Sequence, residues 1–481
     1  MTAPPPLPRP SGPSASGGTP SGPAPLPRPA GWRSLLALLS LSLSLLLWLN
    51  GLVGSLERPS VGDALSLRQL ELTALAAEAL PDPPRSALFG GDARAALSRE
   101  LRAQITAAAT PAPAALRLEL ALLERGGDPG AVARRLRDLE LTVDAPRRPL
   151  LAALQGGQSF DPALQAPLLA PWNPSPMLRQ LVCEQLGGAE GGCPASAGAP
   201  RLLLQWAVVT LLPLPLLLLG IGLLLRQVWL VCRGRLGEPP PLIGPPLDLV
   251  DVTLLIAGGF VLVGEVLLPQ LLQGWLVAGL AALSLGGALE QGVQVLLLYL
   301  LLMGAPLAIL VALLAGRGAP PPGGWLQWRW RPPLSALTLA VSSVLMVLPV
   351  VALSGWLIEH FWPDAGGSNP LLDLVLTSDD PRALACFALT ATVLAPLFEE
   401  TLFRGVLLPV LARRLGAPLA LLGSAAVFAM AHLSLTELIP LFVLGLGLGW
   451  LRWRSGRLAA SVLMHALWNG LTFVNLLVLA H

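Results

Sequence analysis

The chain has 481 residues, of which 54% are hydrophobic and only 12% charged. Soluble domains carry about 25% charged residues, so half that share excludes an ordinary soluble protein and places the chain in lipid. The formal net charge is +2 and every basic side chain is Arg; this balance gives no reason to expect nucleic acid as a partner.

Residues 1–31 are Pro, Gly, Ser and Ala with P-L-P-R-P at 6–10 and again at 25–29. Such composition cannot build a core and reads as a disordered, Pro-rich tail. An apolar run at 35–56 follows. It is too long for the h-region of a signal peptide and no clear A-x-A site follows it, so it reads as a transmembrane anchor.

Residues 58–200 differ from the rest. Segments 64–80 and 113–141 have helical spacing with a polar face, and Pro-rich breaks at 81–84 and 145–149 separate the elements. The segment reads as a small helical extramembrane domain with no catalytic pattern. Cys183 and Cys193 lie in its polar, Gly-rich end. In an oxidising compartment they could close a disulfide loop; the alternative is two free thiols. No cysteine spacing reads as a zinc site.

Apolar runs of roughly 20 residues, the length that spans a bilayer, recur at 202–226, 250–272, 291–315 and 335–357, making 202–357 a block of transmembrane helices. Another lies at 382–403, and tighter runs follow at 416–433, 437–453 and 458–479, all within 380–480. The fold class is therefore all-α, a polytopic transmembrane helix bundle of about nine spans with the extramembrane domain between spans 1 and 2. With a cytoplasmic N-terminus, the cytoplasmic loops would hold Arg226, Arg233, Arg235, Arg317, Arg329, Arg331, Arg404, Arg413, Arg414, Arg452, Arg454 and Arg457. The short opposite loops 273–290, 358–381 and 434–436 hold no basic residue. That asymmetry is the positive-inside signal, and it places residues 58–200 on the non-cytoplasmic side.

Ionisable residues inside spans are costly and need individual explanation. Glu265 lies mid-span, as a partner across the bundle or as the mark of a kink. His360 and His481 lie at or beyond span ends and read as solvated. The segment 395–405, APLFEETLFRG, is different. Glu400 and Arg404 are i,i+4 neighbours and can pair, while Glu399 points about 100° away and is left for proton transfer. Pro396 removes a backbone hydrogen bond beside them. Downstream, FAMAH puts Phe428 and His432 on one helix face, and HALWN puts His465 and Asn469 on another. Two imidazoles, an amide and a carboxylate are the parts needed to activate and hold a water. Counted from the turn at 413–416, Glu399 and His432 both lie roughly 21–24 Å deep, whereas His465 and Asn469 lie roughly 12–18 Å from Arg457. The third cluster needs tilt to join the other two.

The order Glu399-Glu400-x-x-x-Arg404, Phe428-x-x-x-His432 and His465-x-x-x-Asn469, each in its own apolar helix, resembles the three motifs of the CPBP (CAAX protease and bacteriocin-processing, or Abi) family over residues 380–480. The resemblance implies an intramembrane endopeptidase acting on a membrane-associated or lipidated polypeptide, since family members trim prenylated CAAX proteins or are linked to bacteriocin maturation or immunity. It implies Glu399 as the base activating water with His432, His465 and Asn469 as catalytic partners, and Glu400, Arg404 and Phe428 as supporting residues. It leaves the cofactor open: a divalent metal such as zinc on Glu399, His432, His465 and Asn469, making a metalloprotease, or none. The competing readings are a catalytically silent scaffold or immunity-type protein, and a transporter. A transporter would spread its ionisable groups over several depths, whereas here they concentrate in the last 100 residues.

Overall fold

The protein is described by a computed structural model covering residues 31–480, apart from short stretches at 59–60, 108–110, 125–128, 157–161, 188–192, 194–197, 363–366 and 368–369. The Pro-rich tail expected at 1–31, except Gly31, and His481 lie outside the described residues. The described residues form helices and no strand. Helix α1 (Gly31–Ser55) is followed by the helices α2 (Val61–Glu78), α3 (Pro84–Phe89), α4 (Ala93–Ala107), α5 (Ala114–Leu123), α6 (Pro129–Thr142), α7 (Arg148–Gly156), α8 (Pro162–Leu169) and α9 (Pro176–Leu186). Then come α10 (Ala199–Cys232), α11 (Leu249–Ala282), α12 (Gly287–Leu314), α13 (Pro333–Phe361), the short α14 (Pro370–Thr377) and α15 (Pro381–Leu415). Helices α16 (Ala417–Met430), α17 (Leu438–Ser455) and α18 (Leu458–Ala480) close the chain.

Seven of these, α1, α10 to α13, α15 and α18, are long and apolar enough to cross a membrane. Their outward faces fit lipid and not water: Leu35, Leu38, Leu39 and Leu46 on α1 and Leu214, Leu218 and Leu219 on α10 are exposed, more contiguous apolar surface than a soluble monomer carries. The protein is an integral, multi-pass membrane protein. The segments 416–433 and 437–453, read above as spans, form α16 and α17. The 14 residues of α16 rise only about 21 Å, short of a hydrocarbon core of about 30 Å. Helix α17 ends in Arg452 and Arg454, which shortens its apolar length as well. The two helices form a hairpin joined through 431–437.

Two faces are defined by contacts at helix ends. On one, the starts of α1 and α11 meet the end of α12, because Arg33 and Arg317 both pair with the buried Asp251, at 2.6 and 3.1 Å. On the other, the end of α1 meets the hairpin tip and the 362–380 connection: Leu435 N donates to Ser55 Oγ at 3.2 Å and Gly367 N to Ser55 O at 2.7 Å. The extramembrane helices belong to this second face. Between the faces, Phe398, Leu402, Phe403 and Val406 of α15 pack with Leu444 and Leu448 of α17, Met464 of α18, Phe260 of α11 and Val344 of α13. Arg404, counted above with the loops, is fully buried in this core.

The extramembrane helices enclose a core of their own, with Leu97, Leu101, Leu118, Leu150, Leu151, Met177, Leu178 and Val182 buried. Cys183 and Cys193 form a disulfide, as pairing in an oxidising compartment would have it. Inside the core sits an unusual acid pair. Glu119 is 1% exposed and Glu71 is 3% exposed. Ser175 Oγ donates to Glu119 at 2.8 Å while accepting from Leu178 N as the cap of α9. Arg68 pairs with Glu71 at 3.1 Å. Burial, and then the charge of Glu71, push the Glu119 carboxyl up to about 8; burial also raises Glu71, against the opposing pull of Arg68. An unfolded Glu titrates near 4.3. A carboxyl raised on folding favours the folded state fully below the unfolded value, and that contribution falls as pH rises through the folded one. The domain should therefore lose stability steadily from about pH 5 to about pH 8. Glu119→Gln, which mimics the protonated acid, should flatten that decline in thermal unfolding of the full chain in detergent. An unchanged slope would show that Glu119 does not titrate as placed.

Candidate active site

The site is assembled from α15, α16, α17 and α18, with α12 closing it from the side. Helix α15 is not uniform. Its stretches Thr390–Leu394 and Thr401–Leu407 are π-helical and flank Ala395–Glu400. In the first, Ala395 N donates to Thr390 O, an i to i−5 bond. Continued by one residue, that pattern would pair the nitrogen of residue 396 with Ala391 O. Residue 396 is Pro and has no N–H, so this carbonyl is left for another donor. Asn469 Nδ2 supplies it at 2.8 Å. The proline in APLFEE thus fixes the amide of a helix that follows it by many residues, and Asn469 retains a second N–H.

The adjacent carboxylates separate as expected. Glu400 and Arg404 are both fully buried and paired at 2.7 Å. Arg404 Nη2 donates to Gly445 O at 3.0 Å, and its guanidinium lies 4.3 Å from the centre of the Phe428 ring, within cation–π range. A side chain at Gly445 would crowd Ala425 and Arg404, so glycine lets α16 and α17 close around the cation. Glu400 also reaches α18: its Oε1 lies 3.1 Å from His465 Nδ1. A carboxylate only accepts, so Nδ1 carries the proton and Nε2 of neutral His465 is a lone pair. The same argument holds for His432, whose Nδ1 donates to Phe428 O at 2.8 Å. Phe428 stands edge-on to both imidazoles, with centroids 4.8 and 5.7 Å away.

Glu399 is where these groups converge. Its Oε2 lies 3.9 Å from Nε2 of His432 and 3.9 Å from Nε2 of His465 and has no hydrogen-bond partner within the protein. Its Oε1 accepts from Tyr299 Oη of α12 at 3.3 Å. Glu399, His432, His465 and Asn469 all line one cavity of about 630 Å³. All three motifs therefore meet, including the one whose depth had looked too shallow. The stretch Thr401–Leu407 that follows the two glutamates is π-helical. Such stretches recur at functional sites.

Tyr299 was not singled out from the sequence. It is the single Tyr of the chain, set in a run of Leu, and that isolation was the available signal. Glu265 lines the same cavity. It lies in the π-helical stretch Leu254–Leu267 and receives a long contact from Trp48 Nε1 at 3.5 Å, so it both marks irregular helix and pairs across the bundle. His360 stacks on Trp356 at the end of α13, away from the site.

Glu399, His432, His465 and Asn469 are the donors a metal would use in this cavity. A tetrahedral zinc with bonds of about 2.0–2.2 Å brings neighbouring donors to about 3.4 Å, nearer than the 3.9 Å seen here. No group of three or more His, Cys, Asp or Glu among the described residues is arranged to hold a metal ion.

Two family models match the chain. Residues 381–471 match the model described as Type II CAAX prenyl endopeptidase Rce1-like. The C-terminal helices carry an Rce1-like domain. This domain begins with α15 and ends within α18, so it contains all three motifs, while Tyr299 lies outside it. Residues 62–204 match a second model, a domain of unknown function (DUF8675). No curated protein and no solved structure matches the chain.

Within the Rce1-like domain the two glutamates can be told apart by stability alone. Glu400→Gln leaves Arg404 as a buried cation without its anion, at a cost of about 3–5 kcal/mol. Its thermal midpoint in detergent should fall by many degrees, whereas that of Glu399→Gln should stay near wild type. Equal midpoints for the two variants would refute the division of roles drawn here.

Proposed function

We propose that the protein is an intramembrane endopeptidase that uses Glu399 as its general base and no metal. The observation that carries this reading is the unpartnered Glu399 Oε2 facing two imidazole lone pairs at 3.9 Å each. That separation is too long for direct hydrogen bonds and suits one water bridging the carboxylate and an imidazole. Tyr299 occupies Oε1 and so directs Oε2 at the water.

In this mechanism Glu399 Oε2 takes one proton from the water as the oxygen attacks the scissile carbonyl, and His432 Nε2 accepts a hydrogen bond from the other. The second N–H of Asn469 stabilises the oxyanion that forms. The proton on Glu399 then passes to the leaving amine as the C–N bond breaks, which restores the carboxylate. His465, held through Nδ1 by Glu400, keeps its Nε2 toward the reacting atoms. The substrates are polypeptides at the membrane, as in the CAAX-type and bacteriocin-processing branches of the family. The N-terminus is cytoplasmic, on the ground of the arginine distribution. None of residues 62–204 lines the cavity.

Purified Glu399→Gln should lose cleavage of a membrane-peptide substrate by at least about a hundredfold, the low end of what general-base catalysis supplies. Tyr299→Phe should slow turnover by about tenfold, equivalent to one charge-assisted hydrogen bond of about 1.5 kcal/mol. Chelation should change neither rate. Wild-type turnover by Glu399→Gln would end the assignment of Glu399 as the general base, and loss of activity on chelation with recovery on added zinc would replace the metal-free mechanism.

A further inference from the structure

The cavity around Glu399 is not symmetric between the two faces of the bundle. Toward the face that carries the extramembrane helices it extends to Arg58, which follows α1, to Leu371 and Leu372 of α14, to Glu437 at the hairpin tip and to Leu476 near the end of α18. Arg58 donates to Leu433 O, at the tip itself. Helix α2 starts just beyond Arg58, and its Leu65 packs both with Leu479 of α18 and with the cluster of Val375 and Phe473. The extramembrane domain is therefore anchored at the cavity's rim.

Toward the opposite face the lining includes Phe403, and the fully buried Glu400–Arg404 pair is not part of it. Beyond it lies a strap, residues 233–248, with the run GEPPPLIGPPLD. Its prolines have no N–H and cannot join a helix, so its carbonyls are left for other donors. Arginines supply them: Arg452 donates to Ile243 O at 2.9 Å, Arg413 to Pro245 O at 3.0 Å and Leu247 O at 2.7 Å, Arg317 to Pro246 O at 3.1 Å, and Arg454 to Gly237 O at 2.8 Å. Gly244 sits so close to Pro409 of α15 that a Cβ there would come within 2.2 Å of it. The strap is seated on the bundle and fastened from three helix ends, with no lining residue of the cavity among its members.

We infer that the site is reached from the face carrying residues 62–204, and that its substrates are membrane-associated polypeptides whose cleaved segment lies on that face, across the membrane from the cytoplasm. The inference rests on the proteolytic reading above and adds to it the side from which substrate comes. The arginines that fasten the strap are the same ones that mark the cytoplasmic side by the positive-inside rule, so a segment presented from the cytoplasm meets a sealed surface. A segment on the other side meets an apolar cavity with Arg58 and Glu437 at its rim.

The test uses the full chain in expressing cells, with the free thiols removed by C232S and C386S. Leu372→Cys and Glu437→Cys report the rim, and Glu238→Cys reports the strap, where Glu238 is exposed. A membrane-impermeant maleimide added to intact cells should label both rim variants and spare Glu238→Cys, and inverted vesicles should reverse the pattern. In parallel, a library of single-span reporters presents randomised segments on either side of the membrane. Wild type, and not Glu399→Gln, should shorten reporters whose segment is on the non-cytoplasmic side and leave the others whole. Rim labelling from the cytoplasmic side only, or cleavage only of cytoplasmic segments, overturns the inference while leaving the protease intact. Labelling as expected with no reporter cut on either side overturns the proteolytic reading, and the substrate assignment falls with it.

Discussion

An ion pair buried to zero exposure in an apolar bundle constrains everything around it. Glu400 and Arg404 pair along one turn of α15, but that bond leaves most of their hydrogen-bonding capacity unused. Removing a charge from water costs several kcal/mol unless its remaining donors and acceptors are met. The surrounding helices meet them in part: α17 offers Gly445 O, α16 offers the face of Phe428, and α18 offers the Nδ1 proton of His465. The pair therefore cross-links the helices that carry the chemistry. A slip of any one of them by a turn would strand a charge, so the position of His465 is set by an interaction that takes no part in the reaction.

Backbone irregularity does the complementary work of orientation. The π-helical stretches on either side of Ala395–Glu400 place Pro396 where its missing N–H frees Ala391 O, and Asn469 is held by that carbonyl. Tyr299 then takes one carboxylate oxygen, and the other is left facing the lone pairs of both imidazoles. Each polar group at the site has one end tied to the scaffold and the other turned to the cavity, the preorganisation that electrostatic catalysis needs.

Polar groups are also divided between the two faces by function. Arginines on one face satisfy the carbonyls of a proline-rich strap that cannot satisfy itself, and the result is a closed surface. On the other face, the hairpin α16–α17 turns at 431–437, and His432 and Glu437 of that turn line the cavity.

Much of this was legible in the amino-acid order. Long apolar runs and scarce charge determine a multi-pass helical bundle, because a lipid-spanning backbone must bond within itself. The i,i+4 spacing of Glu400 and Arg404 determines their pairing, and the three motifs in separate apolar helices mark the residues that meet. Local spacing could not show that His465 belongs to Glu400 as well as to Glu399, that α16 stops short, that Arg404 is core and not loop, or that Tyr299 completes the site. Those depend on how much each helix advances per residue and on which carbonyls its irregularities leave unpaired. Such quantities arise only when the helices are packed against one another, because a donor in one helix is matched to a vacancy created in another.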